Sequence, residues 1–250
     1  MYQQDRLLMI LEYLNKNNSM SVHDICEQLN VSRDTARRDI LKLIEQGAAM
    51  RTHGGISLPV LESKLHAYKE RMDEYSENKK NIALKALTFI HDNEHYFFDV
   101  STNIRFLAEI VNKRITVFTH SLDNIEILAE KDNVDISTIG GCLNKRNRFF
   151  YKPGFAEILE GILFDAAFLG AAAITSDGIF YDDEEDAFIK RSIVKQSGKV
   201  IILSEGQKFQ KRSYYKGVGW EQIDIFISDS VPPAWVSEIM ESNDIQLIIV

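Results

Sequence analysis

From about residue 96 onward, short strand-like runs alternate with helical ones, and this alternation restricts the fold more than any other feature of the sequence. The strand-like runs are Tyr96–Val100, Ile115–Thr119, Val134–Ile139, Ala167–Ala171, Val200–Leu203, Asp224–Ser228 and Gln246–Val250. Helical patterns lie between them, centred near 105–112, 123–130, 155–162, 184–197 and 234–241. Such a pattern predicts an α/β domain around a mostly parallel sheet, because each parallel crossover needs a helix to carry the chain back. Apolar residues make up 45% of the 250, enough for a core of that size without disulfide staples. The longest apolar stretch, from Ala166 to Ile174, is about half the ~18 residues a membrane span needs. Cys26 and Cys142 match neither a metal spacing nor a disulfide framework, as expected in a reducing cytosol. The first residues enter a helical pattern with no apolar signal core or cleavage site, so a cytoplasmic location and no membrane partner are expected.

The first 57 residues read differently. Leu7, Leu8, Ile10, Leu11 and Leu14 recur at helical spacing, and Asn17-Asn18-Ser19 ends that helix. Ser21 is placed to cap a second helix whose inner face is Ile25, Cys26 and Leu29. Asn30-Val31-Ser32 then turns the chain into a third helix, Arg33 to Gln46, with Ala36, Ile40, Leu43 and Ile44 inward and Gly47 at its end. Residues 48–57 read as two short strands joined by a glycine turn. The formal charge of −8 lies wholly in 58–250; residues 1–57 balance seven basic against seven acidic side chains, and 32–57 carry a small basic excess.

Two short helices joined by a tight turn, the second basic on its outer face, have the geometry of a helix-turn-helix. Ser32, Arg33 and Thr35 stand where such a helix meets base edges, and Arg37, Arg38 and Lys42 lie further along it. Arginine suits a bidentate contact with guanine, and hydroxyls and helix-start amides suit phosphates. An ordinary three-helix packing unit with a solvated charged face would also give this pattern.

The full string narrows the choice. Ser32, Thr35-Ala36-Arg37-Arg38-Asp39-Ile40 and the later His53-Gly54-Gly55 together resemble the DeoR family of bacterial transcriptional regulators. The resemblance implies a winged helix-turn-helix over 1–57 and an effector-binding and oligomerising α/β domain over 82–250; between them the composition of 58–81 shifts to Glu, Lys, Ser and Tyr without a firm period and reads as a partly helical linker. It implies Ser32, Thr35, Arg37 and Arg38 as DNA contacts, with Arg51, His53 and Gly54 contributing from the wing. Double-stranded operator DNA and a second copy of the chain are the implied macromolecular partners, because paired reading heads span successive turns of the duplex. Asp34 and Asp39 repel phosphate; Asp39 is expected either to orient a neighbouring arginine or to cap locally.

In the second part, Asp99-Val100-Ser101-Thr102-Asn103 ends a strand and enters a helix, where free amides and the helix dipole favour an anion. A plain N-cap by Ser101 or Thr102 would look the same. Thr119-His120-Ser121 and Gly140-Gly141 end the next two strands, and Lys190 and Lys208 are either charges for the same crevice or solvated lysines. The resemblance implies a domain similar to ribose-5-phosphate isomerase that binds a small phosphorylated metabolite. Its candidate effector residues are Asp99, Ser101, Thr102, Asn103, His120, Ser121, Gly141, Lys190 and Lys208. Val100, Ser101 and Asn103 depart from the family's Ser, Gly and Thr, and losing that glycine is expected to hinder close approach to a phosphate. His120 replaces Asn, and Glu205-Gly206-Gln207 replaces Asp-Ser-Ser. At Phe97-Phe98-Asp99, Tyr151-Lys152-Pro153 and after Asp224 the resemblance leans to the branch that controls deoxyribonucleoside operons. Ala172 stands where a catalytic carboxylate would be wanted, so no catalytic residue, metal or cofactor is expected. Two alternatives stay open: an isomerase drawing on Asp99, Asp182, Asp183 or Glu184, and a DNA-binding scaffold without a ligand.

Overall fold

The computed structural model describes residues 3–17, 19–45, 48–52, 54–57, 76–138 and 140–250. The chain forms two units, Met1–Asp73 and Glu74–Val250. The sequence expectations for Asn18, Gly47, His53 and Ile139 lie outside the described residues. No helix among the described residues is long and apolar enough to cross a membrane.

In the first unit, α1 (Gln3–Asn17), α2 (Val22–Leu29) and α3 (Arg33–Glu45) close on one core that includes Ile10, Leu14, Ile25, Ala36 and Leu43. The start of α2 is fixed by a reciprocal cap: the Asp24 amide donates to Ser21 Oγ at 3.1 Å and the Ser21 amide donates to Asp24 Oδ2 at 3.0 Å. Those bonds hold the Asp24 carboxyl below its ordinary range. Asn30 at φ 50° ends the helix in the left-handed region.

The wing has three strands where the sequence suggested two. β1 (Ser19–Ser21) pairs with β3 (Gly55–Ser57), which pairs with β2 (Met50–Thr52), all antiparallel. Ser-Met-Ser is too short to show alternation, so β1 is set by its partner rather than by its own pattern. Gly55 makes this pairing possible, since a Cβ there would sit 2.1 Å from the Met20 carbonyl oxygen. Gly55→Ala is therefore expected to cost about 1–3 kcal/mol in the first unit. Thermal unfolding followed with a probe in that unit checks this, and a melting temperature equal to that of the wild type would refute it.

The second unit is built on a seven-stranded sheet. In chain order its strands are β4 (His95–Phe98), β5 (Ile115–Thr119), β6 (Val134–Ser137), β9 (Ala166–Leu169), β12 (Val200–Ser204), β14 (Ile225–Ser228) and β15 (Gln246–Ile249). Their spatial order is β15-β14-β12-β9-β4-β5-β6, and every pairing is parallel. The crossovers include α5 (Thr102–Ile110), α6 (Leu122–Leu128), α7 (Phe155–Leu159), α8 (Glu184–Val194) and α9 (Ala234–Ser242). All seven expected strands are present, with ends shifted by a few residues. The chain leaves β4 toward β5 on one side and returns through β9 on the other, so the order reverses between β4 and β9. In open α/β sheets ligands gather outside the strand carboxyl ends at such a reversal.

Three elements were not legible in advance. A hairpin of β7 (Cys142–Asn144) and β8 (Phe149–Tyr151) follows β6, and β10 (Ala173–Thr175), β11 (Gly178–Tyr181) and β13 (Tyr215–Val218) form a small antiparallel sheet. The third is α4 (Ser76–Leu87), whose first half falls in the stretch read as a partly helical linker but whose bounds and buried face were not foreseen. Its inner face is Lys79, Ile82, Ala83 and Ala86, and a lysine and two alanines on the buried side hide the helical period.

Candidate functional site

On α3, Ser32, Arg33, Arg37, Arg38 and Lys42 are exposed and Thr35 is half-buried. The Thr35 amide donates to Ser32 Oγ at 3.3 Å and the two hydroxyls lie 3.0 Å apart, so they cap the helix at the point meant to face DNA. Arg38 Nε donates to the Asp34 carbonyl at 3.3 Å, and Lys42 pairs with Glu45 at 3.9 Å. Arg51 and Gly54 are exposed on the wing, Gly54 at φ 109°. Asp39 points inward and is fully buried. It accepts from Arg6 Nε at 2.7 Å, Arg6 Nη2 at 3.0 Å and Gln3 Nε2 at 3.0 Å, tying α3 to α1. Of the two roles left open for Asp39, the structure shows the orienting one, with Arg6 as the arginine.

In the second unit a cluster of buried polar groups sits at the reversal point. Asp99 follows β4, and its Oδ2 accepts from the amide of Gly170, just past β9, at 2.9 Å. Its Oδ1 accepts from the Val100 amide at 2.7 Å and lies 2.7 Å from Lys190 Nζ. Lys190 also donates to Asp186, one turn earlier on α8, and its Nζ stands 4.3 Å from the centre of the Tyr181 ring. His120 Nε2 lies 3.1 Å from Asp186 Oδ1 and 3.8 Å from Asp99 Oδ1. Its ring stacks on Phe97 at 5.5 Å and meets the edge of Phe149 from the hairpin at 5.6 Å.

These groups set one another's charge. Burial opposes ionisation of Asp186, but Lys190 and His120 outweigh it and hold the carboxyl below its ordinary range. Burial likewise opposes the Lys190 ammonium, and Asp186 and Asp99 override it and hold the lysine above its ordinary value. The Tyr181 phenol is pushed well up, first by burial and then by Asp99 and Asp186, so it stays protonated and donates to the Gly170 carbonyl at 2.7 Å. Asp99, His120 and Asp186 offer three ligand atoms within 4.8 Å of one another, a set that could hold a metal ion. Lys190 Nζ already lies among them as the cation.

Among the described residues, three buried side-chain atoms have no hydrogen-bond partner: Asn103 Oδ1, His120 Nδ1 and Asn124 Oδ1. The asparagines are not simply flipped. Asn103 Nδ2 donates to the Leu203 carbonyl at 3.3 Å and to Glu205 Oε2 at 3.1 Å, and Asn124 Nδ2 donates to the Asp99 carbonyl at 3.0 Å. Each thus keeps a buried carbonyl oxygen able to accept from a donor that reaches the site.

A model of the DeoR C terminal sensor domain matches residues 74–230, and a model of the DeoR-like helix-turn-helix domain matches residues 6–60. The chain belongs to the DeoR family. It is 36% identical over 250 residues to the HTH-type transcriptional repressor GlcR of Bacillus subtilis, covering 100% of this chain and 97% of that protein. It is 26% identical to the glycerol-3-phosphate regulon repressor of Escherichia coli, covering 99% of each. Ribose 5 phosphate isomerase A from Neisseria gonorrhoeae overlays 52% of each chain at 17% identity with a TM-score of 0.39. As a DeoR regulator, the protein pairs a DNA-binding unit with a sensor domain and acts on transcription.

Of the residues that the DeoR resemblance pointed to, the structure brings Asp99, Asn103, His120, Ser121 and Lys190 into the buried region at the strand ends. Ser101 and Thr102 are half-buried at the start of α5. Ser101 is extended, at φ −149°, so glycine is not needed there for backbone reasons. Its side chain lies against Gly170, where an added Cβ would come within 2.3 Å of Ser101 Cβ. Lys190 differs from the expectation, because the ammonium meant for an incoming anion is held between two carboxylates. Gly141 is exposed at the base of the hairpin, against the Tyr151 backbone, and shares no described contact with the cluster. Lys208 is half-buried in the 3-10 turn Gly206–Gln210, its amide donating to the Glu205 carbonyl at 3.0 Å. A surface groove of about 430 Å³ is lined by Glu184, Arg191, Tyr214, Tyr215, Lys216 and Gln222 among others, and by none of the expected effector residues. Sequence reasoning missed Asp186, Tyr181, Asn124 and Lys79. Asp186 stood at i−4 from Lys190 in an acidic run whose neighbours are largely exposed, and that spacing was the available signal.

Proposed function

We propose that the protein represses a carbohydrate operon by binding operator DNA as a homo-oligomer in the cytoplasm, and that a phosphorylated sugar-type effector at the strand-end site relieves repression. The observation that carries this is the cluster joined through Asp99 and Gly170 at the sheet's reversal point, with unpartnered acceptors on Asn103 and Asn124 beside it. The repressor and glycerol-3-phosphate names of the two full-length relatives support the sign and the ligand class. Arg37, Arg38 and the capped Ser32–Thr35 turn supply the DNA contacts, with Arg51 and Gly54 on the wing.

The experiment is operator binding to the chain's own upstream DNA at fixed salt, with and without a panel of triose, pentose and hexose phosphates. Specific binding that one member of the panel weakens is the expected result; specific binding indifferent to all of them would sink the effector half. Arg37→Ala with Arg38→Ala is expected to weaken binding by about 1–3 kcal/mol per lost base contact, or to reduce the log–log salt slope by about 0.9 per lost phosphate contact. Unchanged affinity and slope would remove α3 as the reading helix. We also infer that the chain is not a catalyst, since Asp99, Asp186 and Lys190 are bound to one another rather than poised as acid and base. Measured isomerase turnover on pentose phosphates would overturn that.

A further inference from the structure

Lys79 is an unusual residue to find fully inside a helix packing face. Its side chain is 2% exposed, its Nζ lies 3.4 Å from Glu205 Oε1, and Glu205 is itself buried. Replacing such a pair by apolar side chains of similar size often leaves stability unchanged or improved, so packing alone does not account for it. What distinguishes the pair is where it leads. Glu205 Oε2 accepts from Asn103, in the first turn of α5, and Asn103 Oδ1 is one of the acceptors without a donor. One residue before Lys79, Asn78 Nδ2 donates to Asp229 Oδ2 at 2.6 Å, and Asp229 Oδ1 accepts from the Gly206 amide at 2.7 Å. The first turn of α4 is therefore pinned at two points to the loops that follow β12 and β14. Both loops lie at the same strand ends as Asp99–Asn103. In the chain, α4 is the described element that follows the connecting segment 58–75, beyond which lies the DNA-binding unit.

We propose that Lys79 is a positioning residue through which occupancy of the strand-end site is passed to the DNA-binding half, by way of Asn103 and Glu205. This rests on the sensor reading above and gives that site its means of regulation. A hydroxyl donor that engages Asn103 Oδ1 draws the amide away from Glu205. Glu205 then re-pairs, and the start of α4 is reseated with the connector attached to it. Ligand-free, the latch holds the arrangement that binds operator.

The test uses the full chain. The double variant Lys79→Met with Glu205→Gln removes both charges, so neither is left buried alone. Operator affinity is measured with and without each member of the sugar phosphate panel, and binding of the panel member is measured separately by calorimetry. The expected result is that the sugar phosphate which weakens wild-type operator binding by about tenfold still binds the double variant, yet changes its operator affinity less than about twofold. Lys79→Arg, which keeps the cation, restores the response. A double variant still released about tenfold overturns the proposal. If no panel member releases the wild type, the sugar phosphate reading fails and the latch is judged without ligand. In that arm the double variant is expected to bind operator at least about fivefold more weakly than wild type, and equal affinity overturns it. Should the double variant not fold, Asn78→Ala is put through the same measurements, and an unaltered response overturns the proposal.

Discussion

Lys190→Met is expected to remove about 3–5 kcal/mol from the second unit, the largest loss of any single change in the buried cluster. The substitution fills much of the same volume but leaves Asp99 and Asp186 facing each other with no cation between them. The wild type also has a defined pH profile. Asp186 is depressed in the folded state, so its contribution is present above the ordinary carboxylate pKa of 3.8 and is lost as pH falls through the lower folded value. Lys190 is raised, so its contribution is complete below 10.5 and is lost as pH rises through the higher folded value. Between those limits the pair adds no slope. In Lys190→Met the two carboxylates repel, and one takes up a proton on folding, so the variant is expected to gain stability as pH falls from 8 toward 5. Urea unfolding across pH 4–9 reads this directly. A variant as stable as the wild type, or one with a flat profile, would show that Lys190 is not the cluster's cation.

Asp39→Ala is expected to have the largest effect in the first unit. It removes the acceptor for Arg6 and Gln3 at once, and with it the polar tie between α1 and α3. Arg33, Arg37 and Arg38 are untouched, yet operator affinity is expected to fall by about tenfold or more because α3 is no longer held against α1. The first unit is also expected to melt at least about 5 °C lower. Arg6→Lys keeps a charge but cannot reproduce the two-nitrogen contact, and should recover only part of the loss. Wild-type operator affinity in Asp39→Ala would mean that the tie serves folding alone.

Local chemistry made the first unit readable: the Ser21 and Asp24 cap, the turn at Asn30 and the apolar spacing on α3 all act within a few residues. The seven parallel strands were equally plain, since the five inner ones are largely buried apolar runs and the edge strands β6 and β15 still carry apolar residues between polar ends. What stayed hidden depends on distant partners. β1 exists because Gly55 lets β3 approach Met20, and β13 is Tyr-Lys-Gly-Val, a strand only in the company of β11. The same holds for the site. Asp99, His120 and Lys190 announced themselves by type and position at strand ends or on α8, and the i−4 spacing offered Asp186 to Lys190, but no spacing says that Asp99 joins them or that Lys79 reaches Glu205. Those facts belong to the order of the strands, which brings positions 99, 170 and 205 to one edge.

Gly170 and Ser101 carry a consequence for how this sequence is free to change. The methylene and hydroxyl of Ser101 occupy the space that any side chain at 170 would need. A chain with glycine at 101 would leave that space open, and alanine could then enter at 170. With serine already at 101 the same replacement meets a steric barrier. The two positions thus exclude each other, and whichever first acquires a side chain closes the other. What stands at the start of α5 is thereby recorded in what the end of β9 is still permitted to become.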